Sequence, residues 1–146
     1  MIEREELCSL IPHHDEMCLL DKVIRWDDES ILCQTNSHLN KNNPLRRSGK
    51  LFAVHLIEYG AQAAAVHGGL SDREKGAAIW QAYIAAVRQV ELGVSLIDEI
   101  ISPLQIIATK LMGDESSVIY NFEVHALNEL LGKGRVTIVG IQNREE

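Results

Sequence analysis

The sequence predicts an α+β fold in which an antiparallel sheet wraps around one long central helix. Residues 51–70 are apolar or small nearly all round, which is the pattern of a helix buried inside a domain. Before this helix, apolar and polar residues alternate over 18–26 and 31–37, and the acidic residues between them indicate a hairpin turn. After the helix, the sequence predicts four further strands, over residues 78–90, 104–112, 117–126 and 130–141.

The ends of these elements are predicted from their capping and turn residues. A short first helix is predicted over residues 3–10, and Pro12 is expected to end it, because proline cannot donate to the helical ladder. Ser48 is the expected N-cap of the central helix, and Gly68 with Gly69 its expected end. The chain has 146 residues, of which 46% are hydrophobic, so a single domain over residues 1–146 is expected.

Composition excludes several classes of partner. The net charge of −7 at pH 7 argues against affinity for nucleic acid. No apolar run approaches the length that spans a bilayer, and the acidic first residues do not resemble a secretory signal, so we expect a cytoplasmic protein that binds no membrane. Cys8, Cys18 and Cys33 lack metal-site spacing, and three ordinary thiols are expected.

Glu58 is the most informative residue of the predicted central helix. Burial penalises an ionised carboxylate, so a carboxyl group in this helix is expected to have a raised pKa, in the range useful for proton transfer. A carboxyl group that is hydrogen-bonded for purely structural reasons explains the same pattern equally well. The sequence around Glu58 alone leaves both interpretations open.

Two segments show a family resemblance. Residues 11–23, Ile-Pro-His-His-Asp-Glu-Met-Cys-Leu-Leu-Asp-Lys-Val, resemble the opening motif of the hot-dog fold β-hydroxyacyl-acyl-carrier-protein dehydratases. Residues 56–63, Leu-Ile-Glu-Tyr-Gly-Ala-Gln-Ala, resemble the central helix that carries the catalytic acid of that family. The most similar subgroup is that of the dehydratases of aryl polyene type pathways. The resemblance therefore implies a hot-dog fold.

The resemblance implies a histidine and an acid as catalytic residues, with no cofactor and no metal. Glu58 takes the position of the acid. The family's Gly-His-Phe-Pro-Gly loop is absent, and its histidine position falls on Pro44. We therefore assign the histidine to His38, at the end of the second strand of the predicted hairpin, because the family places its histidine there. His38 would remove the C2 proton and Glu58 would protonate the leaving hydroxyl.

Other residues are expected to position the substrate. Gln62 lies one helical turn after Glu58 and can orient its carboxyl group, although a structural hydrogen bond explains the amide equally well. His13 and His14 belong to the segment that shapes the edge of the site in the family. His55 is the rival to His38, but it lies on the helix of Glu58 and cannot easily face the acid across a substrate.

Four basic residues are expected to bind the acyl carrier. Arg46, Arg47 and Lys50 form the densest basic group of an acidic chain, and Arg88 lies on a strand at the expected edge of the sheet. Acyl carrier protein is acidic and its phosphopantetheine arm carries a phosphate, so these residues would attract both. A solvated surface cluster is the alternative.

The resemblance implies dehydration of (3R)-hydroxyacyl thioesters on acyl carrier protein to trans-2-enoyl thioesters. It also implies a homodimer, or a hetero-oligomer with another hot-dog subunit, in which each site takes its histidine and its acid from different protomers. Two alternatives remain open. A hot-dog thioesterase would use the same residues, and a catalytically silent subunit beside an active homologue would lack the standard histidine loop, as this chain does.

Overall fold

The computed structural model describes residues 1–11, 15–76, 80–114 and 116–142. Two helices are described, α1 over Arg4–Cys8 and α2 over Leu56–Glu74. The strands are β1 Ile2–Glu3, β2 Lys22–Trp26, β3 Ser30–Thr35, β4 Trp80–Leu92, β5 Leu104–Gly113, β6 Ser117–Ala126 and β7 Glu129–Gln142. Short 3-10 turns lie at Asp15–Met17, Ser37–Leu39 and Ala53–His55.

All the described strands belong to one antiparallel sheet in the order β1-β2-β3-β5-β6-β7-β4. Helix α2 crosses this sheet and contacts β3, β5, β6, β7 and β4. The predicted fold class, an antiparallel sheet around one long helix, is therefore confirmed. Among the described strands, β4 lies at one edge of the sheet, beside β7.

The helix approaches the sheet most closely at Gly60. A Cβ atom added there would overlap the ring of Phe122, which is buried on β6. A Cβ atom on Gly134 of β7 would lie 2.8 Å from the same ring. Phe122 therefore fills a space that two glycines leave open, and this packing fixes the position of α2 above the sheet.

The start of the central helix differs from the prediction. Ser48 does not cap it: with Gly49, it forms a tight turn in which their φ angles are 52° and 76°. The chain then enters α2 through the 3-10 turn at Ala53–His55. The amide of Leu51 donates to Asp98 Oδ1 at 2.9 Å, so the segment before the helix is fixed by a distant carboxylate that sequence pattern does not reveal.

The predicted end of the helix is also wrong, because α2 continues through Gly68 and Gly69 to Glu74. Gly69 is present for packing: a Cβ atom there would lie 3.3 Å from Leu10. The glycine in the left-handed region is Gly76, with φ of 70°, immediately after the C-cap residue.

The prediction of three ordinary thiols is wrong as well. Cys8, the last residue of α1, forms a disulfide with Cys18, while Cys33 is a free and fully buried thiol. Burial raises the pKa of Cys33 to about 12. The fold brings Cys8 to Cys18 by docking α1 beside the segment before β2, a contact that the spacing of the cysteines does not encode.

Over the described ranges, the helices are too short or too polar to cross a bilayer.

Candidate active site

His38 lies directly after β3, in the 3-10 turn Ser37–Leu39, and its side chain is fully buried. Its Nε2 atom is 2.8 Å from the carbonyl oxygen of Ile100. A carbonyl only accepts, so Nε2 carries the proton and donates it. Within the described residues, Nδ1 is buried and has no hydrogen-bond partner. Burial lowers the pKa of His38, so the ring is neutral at pH 7 with a basic lone pair on Nδ1.

A hydrogen-bond network fixes the backbone on the amino-terminal side of His38. The Ser37 hydroxyl donates to the Leu19 carbonyl at 2.6 Å, so it must accept the hydroxyl proton of Tyr59, 2.9 Å away. Asn43 Nδ2 donates both to the Ser37 carbonyl at 2.9 Å and to the Tyr59 oxygen at 3.2 Å. Sequence analysis missed this role of Tyr59; the available signal is that a buried tyrosine hydroxyl needs a partner.

Arg46 fixes the loop that follows His38. Its guanidinium donates to three backbone carbonyls, those of His38 at 3.0 Å, Asn40 at 2.9 Å and Gly49 at 2.7 Å. Asp98 lies 4.0 Å from the same group, and the side chain of Arg46 is only 14% exposed. The structure thus places Arg46 within the loop, with its guanidinium bound to backbone carbonyls, and its contact with a carrier stays a prediction.

Glu58 lies in the first turn of α2, and its side chain is 40% exposed. The expectation of a fully buried carboxyl group is therefore wrong for a single chain. Leu56, Tyr59 and Ala63 of α2 are fully buried, whereas this chain covers Glu58 only in part. Its Oε1 atom is 3.4 Å from His55 Nδ1, one helical turn earlier.

The two predicted catalytic residues have separate sets of contacts within the chain. His38 contacts Ile100 and is joined to Arg46 through its carbonyl, and Glu58 contacts His55. The described hydrogen bonds and ion pairs do not include one between His38 and Glu58. Tyr59, the residue after Glu58, binds Ser37, the residue before His38, and neither catalytic side chain takes part in that hydrogen bond.

Gln62 fixes the segment that leads into β2. Its Oε1 accepts the amide proton of Leu19 at 2.8 Å, and its Nε2 donates to the carbonyl of Met17 at 2.7 Å. The oxygen and the nitrogen of the Gln62 amide are thus both hydrogen-bonded to the backbone. This agrees with the alternative interpretation of Gln62, in which its hydrogen bonds are purely structural. His13 and His14, the other predicted positioning residues, lie outside the described residues.

Two of the remaining basic residues form a paired, exposed group. Arg47 and Lys50 face each other across the tight turn, with backbone hydrogen bonds of 2.8 Å and 3.0 Å in both directions. Both residues are exposed. The Arg47 guanidinium also donates to the Arg46 carbonyl at 3.1 Å. Arg88 is exposed on β4, opposite Arg135 of β7.

Within the described ranges, no three His, Cys, Asp or Glu residues are grouped as a metal site requires.

Buried neutral histidines predict a pH dependence of stability. Burial lowers the pKa of His38 and of His67, whose ordinary value is 6.5. Below pH 6.5, the unfolded chain therefore binds more protons than the folded one, and the free energy of unfolding falls as the pH decreases. Each unit of pKa difference corresponds to about 1.4 kcal/mol.

We expect the urea midpoint to be lower at pH 5.5 than at pH 7.5. In His67→Gln this pH dependence should be weaker, because one of the two buried imidazoles is absent. His125, which is partly exposed beside Glu123, is the site of the control substitution His125→Gln. If His67→Gln and His125→Gln showed the same pH dependence as the parent, buried neutral histidines would not explain it.

Comparisons with known proteins agree with this architecture. The sequence model of a family described as ApeP-like, ApeP dehydratase, matches residues 5–146. A search of curated proteins gives no match. The chain is similar to a solved structure described as the dehydratase heterocomplex ApeI:P from Xenorhabdus doucetiae, with a TM-score of 0.85 and 25% identity over 94% of this chain and 91% of that chain.

Less similar structures share the fold alone. A mutant of the thioesterase PA1618 from Pseudomonas aeruginosa has a TM-score of 0.60 at 9% identity, over 84% of this chain and 81% of that chain. The E. coli PaaI protein, from the phenylacetic acid degradation operon, has a TM-score of 0.59 at 11% identity, over 81% of each chain.

Proposed function

The chain belongs to the ApeP-like dehydratase family, and on that premise we propose that it converts (3R)-hydroxyacyl groups on acyl carrier protein to trans-2-enoyl thioesters. The observation that carries this proposal is the state of His38. Its Nε2–H is bound to the Ile100 carbonyl, and the lone pair of its buried, neutral Nδ1 has no hydrogen-bond partner among the described residues. The proposed place of the reaction is the cytoplasm, where a carrier-bound acyl chain would be made.

The proposed reaction moves two protons. His38 Nδ1 takes a proton from C2, and the resulting imidazolium is stabilised by its Nε2–H bond to the Ile100 carbonyl. As the C2–C3 double bond forms, the C3–O bond breaks, and the Glu58 carboxyl group gives its proton to the leaving hydroxyl, which departs as water. Transfer of a proton from His38 back to Glu58 restores both groups, so no cofactor is needed.

We place His38 and Glu58 of one site on different chains. Glu58 is covered only in part by its own chain, and a neighbouring subunit would bury it. Strand β4 is the edge of the described sheet and exposes Tyr83, Ile84 and Val87, which supports contact with a second sheet at this edge. The partner is a second copy of this chain or, as the ApeI:P heterocomplex suggests, another hot-dog subunit.

We propose that the acyl chain follows the face of α2 that carries Glu58 toward a cavity between this helix and the sheet. Glu58, Ala65 and Asp72 are seven residues apart and therefore share one face, along which Asp72 lies about 21 Å from Glu58 at 1.5 Å per residue. A Cβ atom added to Gly68, on this face, would have no atom within 4 Å, so there is room beside the helix there. A cavity of about 240 Å³ lies at the far end, with Ala65, Gly68, Asp72 and Tyr120 in its lining. This space supports a substrate with an extended acyl group.

We propose that the exposed pair Arg47 and Lys50 attracts the acidic carrier and its phosphate, with Arg88 as a further contact. In the double variant Arg47→Glu and Lys50→Glu, kcat/KM for carrier-bound substrate should fall about tenfold or more, and the loss should shrink at high salt. Turnover of a short thioester mimic should change little, because the pair lies on the surface.

The control for this prediction is Arg46→Lys, which removes the fork of donors to three carbonyls. It should affect both substrates equally, since Arg46 fixes the loop of His38. Equal losses on carrier-bound and short substrates in the double variant would exclude the steering role of Arg47 and Lys50.

Product analysis tests the proposed function. The protein is incubated with a (3R)-hydroxyacyl carrier thioester, and the acyl carrier is examined by mass spectrometry. Dehydration predicts loss of one water, about 18 Da, with the acyl group still attached. Release of a free hydroxy acid would indicate the thioesterase. Turnover that depends on an added second hot-dog subunit and persists when this chain carries both His38→Ala and Glu58→Gln would indicate the silent subunit. Either of these outcomes contradicts the proposal.

A further inference from the structure

We propose that Cys8 and Cys18 form a redox modification site, at which thiol–disulfide exchange controls the order of the segment Cys18–Leu20. This site is separate from the chemistry proposed for His38 and Glu58. The proposal depends on the position of the segment, which the disulfide joins to α1 and which hydrogen bonds join to α2 and to the end of β3. It concerns regulation of the fold around the candidate site.

Leu19 is the centre of these contacts. Its amide donates to Gln62 of α2 at 2.8 Å. Its carbonyl accepts the hydroxyl protons of Thr35 and Ser37, each at 2.6 Å. One residue of this segment thus binds both the helix that carries Glu58 and the strand end that precedes His38.

The disulfide fixes the position of this segment from the other side. Cys8 is the last residue of α1, and Arg4, the first, donates to the carbonyls of Cys18 at 2.7 Å and Leu20 at 3.1 Å. A helix of five residues has no stability of its own in water, so its docking depends on tertiary contacts. These contacts are the burial of Leu7, the bonds of Arg4 and the disulfide.

The exposure of the two sulfur residues permits exchange. Cys8 is partly exposed, whereas Cys18 is 1% exposed. A small thiolate can attack the Cys8 sulfur, which gives a mixed disulfide and releases Cys18 as a thiolate that takes a proton from water. A second thiolate then attacks the mixed disulfide, releases Cys8 and leaves as the oxidised small disulfide. The reverse sequence, with a low-molecular-weight disulfide as oxidant, restores the bond between Cys8 and Cys18.

The chain provides an internal control for this chemistry. Cys33 is fully buried and its pKa is raised to about 12, so its reactive thiolate is almost absent at neutral pH. Oxidation by a small disulfide should therefore consume Cys8 and Cys18 and leave Cys33 as a free thiol.

The disulfide closes a loop between Cys8 and Cys18, which are 10 residues apart, and so reduces the conformational freedom of the unfolded chain. For a loop of this length, we expect oxidation to raise the melting temperature by about 5–10 °C. The local effect should be larger protection of the Leu19 amide against hydrogen exchange, because opening of the segment must break the bond to Gln62.

The experiment compares the full chain after equilibration with reduced dithiothreitol and with oxidised glutathione. We expect three alkylatable thiols in the denatured reduced protein and one, Cys33, in the denatured oxidised protein. The oxidised protein should show the higher melting temperature and slower exchange at Leu19. Cys33→Ser should respond in the same way, and Cys8→Ser should not respond.

Two results would overturn the proposal. Three thiols after equilibration with oxidised glutathione would show that the pair does not form a disulfide in solution. Equal Leu19 exchange in the oxidised and reduced proteins would show that the bond does not control this segment. Neither readout requires enzymatic activity, so failure of the proposed reaction leaves this test unaffected.

Discussion

The variant His38→Ala is expected to lower turnover of a (3R)-hydroxyacyl carrier thioester by a factor on the order of a hundred or more, because a positioned general base contributes at least that much. His38 is the buried imidazole whose Nδ1 lone pair is free, and its replacement removes the acceptor for the C2 proton. The measurement is kcat for enoyl thioester formation, with circular dichroism to confirm folding.

A conservative variant separates the base from the structural role of the ring. His38→Gln keeps an N–H donor that can reach the Ile100 carbonyl, but its side chain does not titrate. It should be as inactive as His38→Ala and closer to the parent in stability. The rival is His55, which lies beside Glu58. Near-parental turnover by His38→Ala, together with a folded but inactive His55→Ala, would transfer the role of base to His55.

The second large effect is expected for Glu58→Gln. The amide cannot give a proton to the leaving hydroxyl, so turnover should again fall by a factor on the order of a hundred or more. The side chain of Glu58 is 40% exposed in the single chain, and the substitution keeps its size, so the melting temperature should change little.

Glu74→Gln is the matched control for Glu58→Gln. Glu74 is an exposed acid in the last turn of the same helix, and its replacement should leave turnover at the parental level. Equal activity of Glu58→Gln and Glu74→Gln would show that Glu58 is not the acid.

The architecture could be predicted because it depends on the pattern of apolar residues. The alternation in the last part of the chain predicts a strand over 117–126, and β6 has these bounds. The all-round apolar composition of 51–70 predicts the central helix. The ends of this helix could not be predicted in this way. Leu10 packs closely against Gly69, and in the sequence a glycine needed for close packing looks the same as a glycine that ends a helix.

The candidate site depends on contacts between distant parts of the chain. The partner of His38 is the carbonyl of Ile100, 62 residues later. Every residue has a backbone carbonyl, so the residue type does not indicate which one accepts this hydrogen bond. The basic character of Arg46 predicts a contact with an acidic carrier, but it does not reveal that backbone carbonyls bind the guanidinium. The exposure of Glu58 was missed because an apolar helix face is equally consistent with burial by the same chain and by a neighbouring one.

The central claim is that each site combines His38 of one subunit with Glu58 of another, and mixed dimers test it most directly. Differently tagged chains are coexpressed and the doubly tagged dimers are isolated. If sites are shared between subunits, a dimer of His38→Ala with Glu58→Gln contains one intact site and should show about half of the parental activity. A dimer of the parent with a chain that carries both substitutions should then be nearly inactive. Half activity in the second dimer and almost none in the first would contradict the account, because it would place both residues of a site on one chain.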